Sequence, residues 1–247
     1  MKKTSIVVFA IAFFFSYCVS NRGPVSTAKS GSTESYVRCI ADGTYLLEQK
    51  KYDEAIGALK QATVLKPDSD KAYNFLGIAY FMKKNFAEAL PCFQEALKIN
   101  PASAAASCNL GNLQFEMGDV DLAVATLSKA SLDFADDVAL HFSLGNVLLH
   151  QGEIDEGFVH LKRVMELDPD YLERERNFSL KTSSGDLPSS EISFRYARLY
   201  AVAGNLEKTL EYLESAKKKG FVAWERIRQD DAFTLFRDDP QVKKYLE

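Results

Sequence analysis

From Tyr36 onward, large apolar, small and polar residues recur on a helical period, and the whole pattern repeats every 34 residues. Tyr52, Ala55, Leu59 and Ala62 fall on one face of a single helix at that period. Gly43, Gly77, Gly111 and Gly145 share one phase, and Leu precedes three of them. A small residue follows each twelve places later: Ala55, Ala89, Ala123 and Gly157. Ala62, Ala96 and Ala130 come next, and Pro67, Pro101 and Pro169 close three of the copies. Proline lacks the amide donor and clashes with the preceding turn, so each ends a helix. The pattern predicts helices over 36–49, 52–65, 70–83, 86–99, 104–117, 120–133, 138–151 and 154–167. Gly118 and Gly152 fall at turns inside the third and fourth copies, where a left-handed C-cap is expected. Each glycine is read as facing the small residue twelve places on, so that paired helices approach closely.

A repeat of this length marks a stacked array, because one helix pair cannot bury its own apolar face. The second copy carries Tyr73, Leu76, Gly77, Tyr80, Ala89, Phe93, Ala96 and Pro101. It resembles the tetratricopeptide repeat (TPR) at nearly every signature position, with Tyr73 in place of the usual Trp. The resemblance implies an all-α fold, a right-handed superhelical TPR solenoid of antiparallel helix pairs. Four repeats span 36–169, and the first is the least regular, with Cys39 and Asp42 at positions that favour large apolar groups. A terminal repeat packs on one side only, which permits this.

After Pro169 the period breaks. The charged stretch Asp170–Phe178 is read as extending the eighth helix, within a loop or linker over 170–189. A fifth repeat is expected over 190–221, where Tyr196, Ala197, Tyr200, Gly204, Leu213 and Ala216 restore the phase. Thr209 there replaces the small alanine and should loosen the contact. Residues 222–247 read as C-terminal capping helices, with Trp224, Ile227, Phe233 and Val242 as apolar anchors.

The N-terminus differs from the rest. Lys2 and Lys3 precede the apolar run Ile6–Phe15, which is too short for a comfortable membrane span and suits a signal peptide over 1–17. Cys18 follows where a bacterial lipobox places its acylated cysteine, although Tyr17 departs from the small residue usual there. Ordinary cleavage after Ser20 is the alternative. Residues 18–35 suit a flexible tether, lipid-anchored at Cys18 if the protein is a lipoprotein. The layout of signal, cysteine and TPR array resembles exported bacterial TPR lipoproteins of the periplasm or outer membrane.

The formal charge of -4 becomes two units more negative once Lys2 and Lys3 are removed, which argues against nucleic acid as a partner. Catalytic signatures are missing: the sequence holds neither a phosphate-binding Gly-rich loop nor a Gly-x-Ser-x-Gly elbow. His141, His150 and His160 lie at spacings that do not converge on a helix, and read as solvated or rim residues rather than metal ligands. Cys39, Cys92 and Cys108 form no Cys-x-x-Cys pair and read as small buried residues. No cofactor or metal is expected, and no enzymatic activity.

In TPR proteins the first helix of each pair lines an inner groove. Transferring that phase gives Asn74, Phe75, Ile78 and Phe81 from the second copy, and Cys108, Asn109, Asn112 and Phe115 from the third. The fourth gives Phe142, Ser143, Asn146 and His150, and the fifth Phe194, Arg195 and Arg198. Asparagine amides can bond both the N–H and the C=O of an extended peptide. The arginines would suit a carboxylate. The carboxylate clamp of chaperone-binding TPR domains is not reproduced, because Cys108 and Ser143 occupy two of its positions. The expected function is a non-enzymatic protein–protein interaction module, a scaffold or assembly factor of the bacterial cell envelope that binds an extended segment. A self-associating structural envelope protein and a small-ligand carrier or accessory protein are the alternatives.

Overall fold

The computed structural model describes residues 32–174 and 189–246. The expected signal peptide, Cys18 and most of the tether lie outside the described residues, as does most of the 170–189 segment. The described residues are helical, with no strand among them. Eight helices follow the repeat: α1 Ser32–Glu48, α2 Tyr52–Leu65, α3 Asp70–Met82, α4 Phe86–Ile99, α5 Ala104–Met117, α6 Val120–Asp133, α7 Val138–Gln151 and α8 Ile154–Leu167. After them come α9 Tyr171–Arg174, α10 Ser189–Val202, α11 Leu206–Lys218, α12 Arg226–Gln229, the 3-10 turn Asp231–Phe233 and α13 Pro240–Lys243. The chain divides into two compact units, one ending at Ser143 and the other beginning at Leu144.

The caps explain why the elements start and stop where they do. Ser69, Ser103 and Asp137 stand at one phase, and each side chain accepts the N–H three residues on, from Ala72, Ala106 and Leu140. Such an N-cap is worth about 1 kcal/mol. At the turn inside each pair one residue is left-handed: Lys50 (φ 58°), Lys84 (φ 61°), Gly118 (φ 91°), Gly152 (φ 100°) and Gly204 (φ 73°). The next residue's N–H then reaches back to the helix: Lys51 to Leu46, Asn85 to Tyr80, Asp119 to Gln114, Glu153 to Leu148 and Asn205 to Tyr200, each at 2.9 Å. This is the Schellman closure, which satisfies carbonyls that the helix end would leave unpaired. Glycine marks it in three pairs. In the first two, lysine occupies a conformation costly for an L-residue.

In the first unit α1 packs on α2, α3 on α4 and α5 on α6, while α2 meets α3 and α4 meets α5. Leu47, Leu59, Leu76, Phe93 and Leu113 form the buried centre. The phase glycines have a different partner from the one the sequence suggests. A Cβ on Gly43 would sit 2.5 Å from Leu59 Cγ, one on Gly77 2.6 Å from Phe93 Cε1, and one on Gly111 2.5 Å from Leu127 Cγ. Each glycine therefore makes room for the large side chain sixteen places on, rather than for the alanine twelve places on. Pro91 lies inside α4 at an exposed position, and the helix continues through it.

In the second unit the backbones themselves come close: a Cβ on Gly145 would meet the Gly157 carbonyl oxygen at 3.1 Å and Leu161 Cγ at 3.1 Å. The eighth helix is not extended. It stops at Leu167, and α9 begins separately at Tyr171, because Pro169 cannot continue the ladder. The pair α10–α11 packs tightly, and α10 also meets α8 and the 3-10 turn. Phe194 stacks on Phe221 at 4.3 Å between ring centres and leans on Phe233 at 5.6 Å, so the C-terminal segment closes over α10. Thr209 is fully buried, and its hydroxyl donates to the Asn205 carbonyl at 2.7 Å, one turn back at the start of the same helix.

Candidate functional site

The first helices of successive pairs lie side by side in the first unit, α1 against α3 and α3 against α5. The inward-phase residues divide there into two groups. One group ties neighbouring helices together. Asn109 Nδ2 donates to Asn74 Oδ1 at 2.9 Å, and one repeat further Cys108 Sγ and Ser143 Oγ meet at 3.3 Å. Asn74 is 7% exposed, and Cys108 and Ser143 are each 1% exposed. Ile78 and Phe142 are buried as well.

The other group keeps part of its surface open: Phe75, Phe81, Asn109, Asn112 and Phe115 are half-buried. Phe75 and Phe81 also pack against the core, and the Phe81 ring lies 5.7 Å from that of Phe86. Asn112 Nδ2 points a weak bond at Cys108 Sγ, 3.6 Å away. Beside Phe115, burial pushes the Glu116 carboxyl above its ordinary value, with the Lys84 charge acting the other way. Gln114, at the phase of Tyr80, is buried with its Oε1 unpaired.

In the second unit Asn146 is half-buried. Arg195 and Arg198 are engaged within the fold. Arg195 Nη1 donates to Asp155 Oδ1 at 2.6 Å and its Nε to Glu191 Oε1 at 3.0 Å, and its guanidinium lies over the Phe158 ring at 5.4 Å. Arg198 pairs with Asp230. Glu191 also accepts from Arg226 at 2.7 Å, and Arg226 covers the Phe194 ring at 4.6 Å. Burial raises the Glu191 carboxyl, but the hydrogen bonds and charges of Arg226 and Arg195 outweigh it and hold it below the usual range. Neither inward arginine stands ready for a partner's carboxylate. The sequence reading did not include Glu191, Asp155, Arg226 or Asp230. Only the Glu191–Arg195 pair had a local signal, its i,i+4 spacing.

His141 is buried, with Nε2 3.0 Å from the Ala135 carbonyl, and so is not a solvated rim residue. Cys92 and Cys108 are buried and Cys39 half-buried, all three as free thiols. Burial pushes the Cys92 thiol up to about 11. Among the described residues no group of three or more His, Cys, Asp or Glu could hold a metal ion, and no helix is long and apolar enough to cross a membrane.

Two tetratricopeptide repeat family profiles match, one over residues 40–104 and the other over 82–145. No curated protein matches the sequence closely enough to count as a relative. Among solved structures the fold is similar to TTC0263, a thermophilic TPR protein of Thermus thermophilus, at 18% identity and TM-score 0.52, over 81% of this chain and 99% of that one. It is also similar to MamA (41-end) of Desulfovibrio magneticus, at 15% identity and TM-score 0.52, over 83% and 99% of the two chains. At these identities the likeness is one of fold. Helix pairs in one 34-residue phase, glycines that seat a large side chain of the paired helix, and the two profile matches agree: residues 40–145 are tetratricopeptide repeats.

Proposed function

We propose that this protein is a non-enzymatic scaffold that holds an extended segment of another protein on the first helices of its repeats. The observation that supports this is the half-buried strip Phe81, Asn109, Asn112 and Phe115 on α3 and α5. Half-buried aromatics offer apolar contact without being needed wholly for the core. An amide beside them can answer both polar groups of a peptide unit. TPR arrays are widely used for this purpose.

The scaffold is placed at the bacterial cell envelope. Lys2, Lys3, the run Ile6–Phe15 and Cys18 support export and acylation. Fatty-acid labelling of the full chain tests that placement: label lost in Cys18→Ala supports the anchor, and a mature N-terminus at Asn21 without label refutes it.

Crosslinking of the full chain in native envelopes, followed by mass spectrometry, would identify the partner. Its affinity for Asn112→Ala should fall about tenfold, the cost of about 1–2 kcal/mol for an amide that bonds a buried backbone. Equal affinities with equal melting temperatures would move the site off this strip.

A further inference from the structure

We infer that the segment held on the α3–α5 strip is electrically neutral, an extended stretch of uncharged residues recognised through its backbone and its apolar side chains. This rests on the peptide-binding reading of the strip and adds the chemistry of the occupant. Phe81, Asn109, Asn112 and Phe115 carry no ionisable group. Phe81 and Phe115 stand at one repeat phase, as do Ile78 and Asn112, so uncharged residues recur along the line of successive first helices. The inter-helix tie beneath them, Asn74 to Asn109 at 2.9 Å, is uncharged too. That bond occupies the Asn74 carbonyl oxygen and one Asn109 donor. The Asn109 carbonyl oxygen and the Asn74 amide nitrogen have no partner among the described residues. The open acceptor on half-buried Asn109 can take the N–H of a peptide unit.

An ionised side chain laid on this strip would lose water and meet no opposite charge, which is unfavourable unless it is paired. Lys71, Lys84 and Glu116 are charged groups near the strip. Lys71 is an exposed residue one turn before Asn74 and makes no ion pair among the described residues. Glu116 is half-buried beside Phe115, and Lys84 acts on it. Lys71 is solvated and screened, so a charge in the partner gains little from it. Lys84 and Glu116 oppose one another. The inward cations of the other unit offer no alternative, since Arg195 is held by Asp155 and Glu191, and Arg198 by Asp230.

A random peptide library displayed on phage and selected on the full chain tests this, with the Asn112→Ala variant as counter-selection. Selected peptides are then made synthetically and titrated by fluorescence anisotropy at about 50 and about 500 mM NaCl, a range over which screening changes strongly. The expected result is a set of peptides without net charge, whose affinity changes less than about twofold with salt and falls about tenfold in Asn112→Ala. Acidic or basic peptides that weaken about tenfold or more at high salt, and that still depend on Asn112, would overturn neutrality while leaving the strip as the site. Peptides indifferent to Asn112→Ala, or no enrichment over that variant, would overturn both the neutral occupant and the strip. Circular dichroism melting of the variant separates lost binding from lost folding.

Discussion

Adding one methyl group to the chain should have opposite effects at Gly57 and Gly111. Both residues are inside helices, so replacing either with alanine recovers the same intrinsic preference, about 1 kcal/mol. At Gly57, on the exposed face of α2, a Cβ meets nothing within 4 Å. Gly57→Ala should therefore be stabilising by about 0.5–1 kcal/mol, raising Tm by about 2–3 °C in a chain of this size. At Gly111 the same carbon would stand 2.5 Å from Cγ and 2.7 Å from Cδ2 of Leu127, which is fully buried. Ordinary contact between carbons begins near 3.5 Å, so the branched end of Leu127 must retreat by about 1 Å into a packed centre. Overpacking of this kind costs about 1–3 kcal/mol, which exceeds the propensity gain. Gly111→Ala should lower Tm by up to a few degrees, on the order of 0–2 kcal/mol net. The pair Gly111→Ala with Leu127→Ala isolates the cause. Leu127→Ala alone should cost about 2–5 kcal/mol through the cavity it leaves. In that background the new methyl group has room, so Gly111→Ala should become neutral or favourable by about 1 kcal/mol. Urea titration of the four proteins measures the coupling. A Tm shift of the same sign at Gly57 and Gly111, or a coupling near zero, would falsify the reasoning that Leu127 is what makes Gly111 obligatory.

Three further outcomes follow from other features. Lys84→Gly should raise stability by about 0.5–1 kcal/mol by relieving a left-handed lysine, and an unchanged or lower urea midpoint would contradict the Schellman geometry. Gln114→Leu should stabilise the first unit by about 1–2 kcal/mol, because it removes a buried carbonyl oxygen with no partner at a phase where Tyr80 and Leu148 stand; destabilisation would point to a bond that satisfies it. Glu191 has a carboxyl value in the folded protein below its ordinary 4.5, so its contribution is fully present above 4.5 and disappears as pH falls through the lower, folded value. Glu191→Gln should reduce stability at neutral pH and flatten the acid limb of a Tm-against-pH curve, and parallel limbs for the two proteins would refute its role.

The helices and their turns were legible in the sequence because the repeat states them several times. Pro67, Pro101 and Pro169 after three of the pairs and glycine at 118 and 152 mark the breaks, and apolar periodicity fills the space between. The same left-handed turn at Lys50 and Lys84 carried no residue-type signal and shows only by its phase. Gly145 does approach Gly157, but the partners of Gly43, Gly77 and Gly111 differ from the expected alanines for another reason. A linear pattern says which residues are small, but not which side chain of the paired helix crosses above them. Leu59, Phe93 and Leu127 are large, and so read as ordinary core. Arg195 had one legible partner, Glu191, a helical turn away; Asp155 comes from α8, and the Asp230 that holds Arg198 comes from the C-terminal segment, so neither is predictable from spacing.

The asparagines show what a phase transferred along a sequence can and cannot say about a surface. Asn74 and Cys108 share a phase, and so do Asn109 and Ser143; both pairs meet across consecutive first helices, at 2.9 and 3.3 Å. Chemically different residues thus perform the same contact, one amide to amide and the other thiol to hydroxyl. The contact, and not a ligand, accounts for small polar groups at those two phases. A buried polar group must be bonded, and a neighbour one repeat away is the partner always at hand. Asn74 is therefore evidence about packing, and its place on the inward face does not by itself make it a contact for another protein. The phases of Phe81 with Phe115, and of Asn112, are different. The first two remain half-buried aromatics, each with part of its ring surface open. Asn112 gets only a 3.6 Å contact to sulfur, far less than an amide can make. Groups left with hydrogen-bonding and apolar capacity that the fold does not use are where a bound segment would gain the most. Among the inward residues of α3 and α5, that criterion selects Phe81, Asn112 and Phe115, with Asn109 contributing through the carbonyl oxygen its tie to Asn74 leaves open.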